Sequence, residues 1–85
     1  MLLIFLWELW AQCGGTNRKC GPENNAVKGD SQAACETLAI NNGHSYYQYY
    51  AENKVCFTVE SCDDPIEGTG WDWRIYGAEC GNKTN

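Results

Sequence analysis

The sequence predicts an α+β domain, small and disulfide-rich, with one helix packed on a short antiparallel sheet. Three observations carry that reading. First, 85 residues allow a single domain, and a chain of this length buries only about 60% of its unfolded surface, so its core needs staples. Second, six cysteines are present, Cys13, Cys20, Cys35, Cys56, Cys62 and Cys80. An even count in a short chain indicates a disulfide framework and an oxidising compartment. Third, one segment spaces its apolar residues as a helix does, and three segments after it read as strands.

Zinc is the rival use of the cysteines. Structural zinc sites bring them in C-x2-4-C pairs, often completed by histidine. Here six residues separate Cys13 from Cys20, five separate Cys56 from Cys62, and His44 is the single histidine. No zinc knuckle can be drawn, and no metal or other cofactor is expected.

Residues 1–11, "MLLIFLWELWA", form an apolar leader. A secretory signal has a basic start, an apolar stretch and a small-residue cleavage site. This stretch has no Lys or Arg, carries Glu8, and falls short of the about 20 apolar residues that span a bilayer. It reads as a truncated signal segment. The alternatives are an apolar helix packed on a partner and a piece of a longer membrane segment. Residues 12–85 then make up the single stapled domain.

Within that domain, residues 12–29 are rich in Gly, Asn and Pro and read as an irregular loop. Asp30 or Ser31 can cap a helix near residues 31–42, and Gly43 can stop it. Cys35, Leu38, Ala39 and Asn42 form its narrow inward stripe. Tyr46 to Tyr50 and Val55 to Glu60 read as two strands joined by "AENK". Aromatic rings appear on both faces of the first strand, and one helix cannot cover both faces of a sheet. "DDPIEGTG", residues 63–70, is an acidic loop; "WDWRIYG", residues 71–77, is a third strand, with Trp71, Trp73 and Ile75 on one face. Asn82-Lys83-Thr84 is an N-glycosylation acceptor pattern.

Charge and side-chain chemistry exclude several functions. The formal net charge of −5 disfavours nucleic acid, whose phosphates call for a basic stripe, and an anionic membrane surface. Catalysis is not expected. A hydrolytic triad needs a base beside a nucleophile, and His44, following the helix stop, reads as a solvated turn residue. Asp63 and Asp64 are adjacent and point apart along an extended chain, and no calcium-loop spacing surrounds them.

Aromatic residues are 13% of the chain. Some must fill the core, with Trp73 and Phe57 the first choices by their central strand positions. The others point to a contact surface of Tyr47, Tyr49, Trp71 and Arg74, because aromatics and Arg dominate binding hot spots.

From residue 31 to residue 62, a helix with a cysteine, the Tyr-rich "SYYQYY", a turn and "CFTVESC" resemble the PAN/apple module. "WDWRIYGAEC" is similar to that family's closing strand, and the likeness covers about residues 20–80. It implies a compact sheet carrying one helix, a Cys35–Cys56 bridge, and Cys80 tied back to the N-terminal loop. The family commonly has two helix cysteines where this chain has one. Nested Cys20–Cys62 and Cys13–Cys80 bridges complete the expected set, one of the fifteen connectivities open to six cysteines. PAN/apple modules bind proteins or carbohydrates. A shorter likeness, "LWAQCGG" at residues 9–15, resembles the opening of fungal cellulose-binding modules.

The expectation is therefore a secreted, non-catalytic module for protein–protein adhesion or assembly. A carbohydrate-binding module using exposed rings is the alternative. A small structural subunit held in a larger complex by its apolar N-terminus is a further one.

Overall fold

The computed structural model describes residues 9–21, 26–63, 65–68 and 72–80. Its elements run β1 (Ala11–Gln12), β2 (Arg18–Lys19), β3 (Val27–Lys28), α1 (Gln32–Asn41), β4 (Tyr46–Tyr50), β5 (Val55–Val59), β6 (Ile66–Glu67) and β7 (Arg74–Gly77). One helix lies on a small antiparallel sheet, and three disulfides close the structure, so the α+β class is as expected.

Helix α1 starts at Ser31, whose side-chain oxygen accepts the Ala34 amide at 3.1 Å. It ends where Gly43 takes φ 72°, letting its own amide reach Ile40 O at 3.0 Å and the His44 amide reach Ala39 O at 2.8 Å. Cys35 and Ala39 are buried as the stripe predicts, Leu38 is half-buried and Asn42 is exposed. Glu36 is the unexpected member of the inward face, at 1% exposure.

The main sheet has the order β1-β7-β4-β5-β3, with every pairing antiparallel. Tyr46 pairs with Val59 and Tyr50 with Val55, so Ala51–Lys54 forms the turn. Tyr47 and Tyr49 face the helix and pack with Cys35, Ala39 and Cys56. The Cys35–Cys56 bridge pins α1 to this face.

Gln48, Tyr50, Trp73 and Ile75 occupy the opposite face, all of them buried. A second sheet, β2 paired with β6, covers them. The Cys20 amide donates to Gln48 Oε1 at 2.7 Å, and the Arg18 amide to Trp73 O at 2.9 Å. Cys20–Cys62 holds this ribbon, and Cys13–Cys80 closes the end beside β7. Each bridge encloses the next along the chain.

The structure departs from several expectations. The supposed loop of residues 12–29 contributes β2, β3 and half of β1, and the acidic loop contributes β6. The third strand begins at Arg74 rather than at residue 71. Phe57 is half-buried, whereas Trp73 is wholly buried. His44 is half-buried rather than a freely solvated turn residue, with Nδ1 2.7 Å from Thr58 Oγ1. The end of the apolar leader belongs to the fold. Ala11 pairs with Gly77, the Trp10 amide donates to Glu36 Oε1 at 2.6 Å, and its ring lies 5.6 Å from that of Tyr47. Residues 1–8, Trp71, Asp64 and Asn82 lie outside the described residues. Among the described residues no helix is long and apolar enough to cross a membrane, and no three His, Cys, Asp or Glu side chains cluster as a metal set.

Candidate functional site

A cleft of about 410 Å³ opens where strand β4 runs into its turn. Tyr49 and Tyr50 end the strand there, and Ala51 and Glu52 carry the wall into the turn. Asp72, Arg74 and Tyr76 supply the opposite wall from β7 and the residues before it, and Gln32 closes one side from the first turn of α1. The register makes this wall. Arg74 pairs with Tyr49 and Tyr76 with Tyr47, so Arg74 and Tyr76 emerge on the helix side of the sheet beside Tyr49.

The polar groups of the cleft are ordered by one another. Arg74 donates from Nε and Nη2 to Asp72 Oδ2, at 3.2 and 2.9 Å. This pair is 40% and 53% exposed, and the carboxylate holds the guanidinium above its ordinary range. The Tyr50 hydroxyl donates to Glu52 Oε1 at 3.0 Å, and Tyr49 donates to Gly29 O at 3.1 Å. Burial, first of all, raises the hydroxyls of Tyr49, Tyr50 and Tyr76 above 10.0. Asp72 pushes Tyr50 and Tyr76 further in the same direction, and Asp30 does so for Tyr49.

Of the four expected contact residues, Tyr49 and Arg74 meet in this cleft, and Trp71 lies outside the described residues. Tyr47 is corrected. It has no exposed surface, its hydroxyl accepts from Gln32 Nε2 at 3.1 Å and donates to Glu36 Oε1 at 3.0 Å, and its ring stacks on Tyr76 at 5.1 Å. Burial, above all, lifts its hydroxyl far above the usual tyrosine range. It props the cleft from beneath.

Sequence reasoning missed Gln32, Tyr50, Glu52, Asp72 and Tyr76. One signal was readable: Asp72 and Arg74 stand at i and i+2, on one side of an extended chain. The placement of Gln32 and Glu52 depends on how α1 and the turn approach the strand end, which no local pattern encodes.

A second groove of about 550 Å³ lies near β3 and β5, lined by Val27, Leu38 and Phe57 with Lys28 and His44. Three of its polar side chains engage one another, Asn42 Nδ2 and His44 Nδ1 both reaching Thr58 Oγ1, at 3.1 and 2.7 Å. The first cleft, with its exposed charge pair, is the better contact site.

No family model, curated protein or solved structure matches the chain.

The bridges nevertheless bear on the setting. All six cysteines are paired, which points to an oxidising environment.

Proposed function

We propose that this chain is a secreted, non-catalytic binding module that mediates protein–protein adhesion or assembly through the β4-end cleft. One observation carries the reading. Tyrosine walls and a half-exposed Arg–Asp pair are gathered at one rigid sheet end, the composition of an interface hot spot. The resemblance to PAN/apple modules implies the same role, and the oxidised cysteines suit secretion. The Asn82 acceptor pattern belongs to this proposal as a glycosylation site. A binding role is favoured over a catalytic one because Glu52 and Asp72 are engaged by Tyr50 and Arg74, and His44 lies in the other groove.

A carbohydrate ligand is the second reading. The cleft volume falls in the range of small-ligand pockets, and Gln32 and Arg74 bring donors beside Tyr76.

The test is crosslinking of the native module to a secreted-protein fraction, followed by mapping of the linked peptides. Links near Glu52 and residues 72–76 that vanish with Arg74→Ala support the proposal. Retention on polysaccharide with no protein captured contradicts it in favour of the second reading.

A further inference from the structure

The cleft carries an excess of negative charge. Two carboxylates, Glu52 and Asp72, and one guanidinium line it, and Arg74 turns Nε and Nη2 to Asp72. Among the described residues, Glu52 accepts from the hydroxyl of Tyr50, a neutral partner. Around these groups stand Tyr49, Tyr50 and Tyr76, whose ring faces are themselves negative.

From this arrangement we propose that the cleft receives a cationic side chain, Lys or Arg, carried by the protein partner. The inference rests on the adhesion reading above and names the chemistry of the partner. Three lines of argument select that occupant. The first is charge complementarity at close range, since a carboxylate or phosphate ligand would confront Glu52. The second is ring exposure: Tyr49 and Tyr50 are each only 7% exposed. A compact ammonium or the edge of a guanidinium needs a small patch of ring, whereas a sugar needs a whole open face on which to stack. The third is the field of the molecule. A net charge of −5 and a sequence pI of about 4.6 draw basic partners and repel acidic ones at long range. Within the cleft the aliphatic stem of Lys or Arg lies against tyrosine carbon while its head reaches Glu52.

The experiment is a backbone-amide NMR titration of the full, oxidised chain with three capped Gly-X-Gly peptides, where X is lysine, arginine or acetyl-lysine. The expected result is saturable shifts at residues 49–52 and 72–76 with the lysine and arginine peptides and none with acetyl-lysine. Glu52→Gln weakens the lysine peptide by roughly threefold, the scale of one partly solvated charge contact. Glu52→Lys weakens it by more than about tenfold. Equal binding of the acetyl-lysine peptide, shifts confined to other surfaces, or no shift with any peptide overturns the inference. A protein partner crosslinked equally by the native chain and by Glu52→Lys leaves the adhesion reading standing and overturns the cationic one.

Discussion

The hydroxyl of Tyr47 sits between two side chains of α1, its bond to Glu36 buried and its bond from Gln32 part-buried. Tyr47→Phe removes a donor from the buried Glu36 and an acceptor from Gln32. The expected cost is about 1.5–3 kcal/mol, that of hydrogen bonds lost around a buried carboxyl group, read as a lowered urea midpoint with unchanged slope. Gly29 is as demanding for a steric reason. A Cβ there would lie 2.8 Å from Cys56 Cβ, so Gly29→Ala must push the bridge aside. A loss of about 1–3 kcal/mol is expected by thermal unfolding. Titration gives a third residue-scale expectation. The hydroxyls of Tyr47, Tyr49, Tyr50 and Tyr76 are raised above 10.0, so the folded chain keeps protons that the unfolded chain releases. Stability is thus full below about pH 10 and falls as pH rises beyond it. Tyrosinate absorbance that grows in step with loss of structure supports this. Ionisation of all these tyrosines in a chain that stays folded contradicts it.

At the scale of elements, the parts that could be read from sequence are those long enough to show a period. Helix α1 spans nearly three turns with Ser31 before it and Gly43 after it, and β4 and β5 are five residues each. The strands β1, β2, β3 and β6 have two residues apiece, and no alternation exists in two residues. They are strands because a crosslinked neighbour holds them in register. The same gap explains Tyr47. Alternation in "SYYQYY" separates the faces but does not tell what covers each. Helix α1 and Trp10 close over Tyr47, and the ribbon of β2 and β6 lies over Gln48 on the other face. Replacing both Cys20 and Cys62 by Ser tests that layer. The bridge closes a loop with a sequence separation of 42, for which chain entropy gives a loss of about 4 kcal/mol. Trp73, buried under the ribbon, should then gain solvent exposure, seen as red-shifted emission and faster quenching. Emission unchanged from the native protein would show that the ribbon stays in place without its bridge.

At the scale of the whole molecule, one sheet is clamped on both faces, and each clamp is tied by sulfur. Cys35–Cys56 fastens the helix, Cys20–Cys62 the ribbon, and Cys13–Cys80 the segments that follow β1 and β7. The cleft at the end of β4 inherits its shape from this arrangement, because its walls come from α1, the turn after β4 and β7, which the clamps hold together. The need for crosslinks was readable from length and cysteine count, whereas spacing alone left fifteen pairings open. The most direct measurement is a peptide-mass map of the unreduced native protein, with thiols alkylated beforehand. The account predicts no alkylated cysteine and linked peptides joining Cys13 to Cys80, Cys20 to Cys62 and Cys35 to Cys56. Any alkylated cysteine in the native protein, or a bridge between other partners, contradicts it.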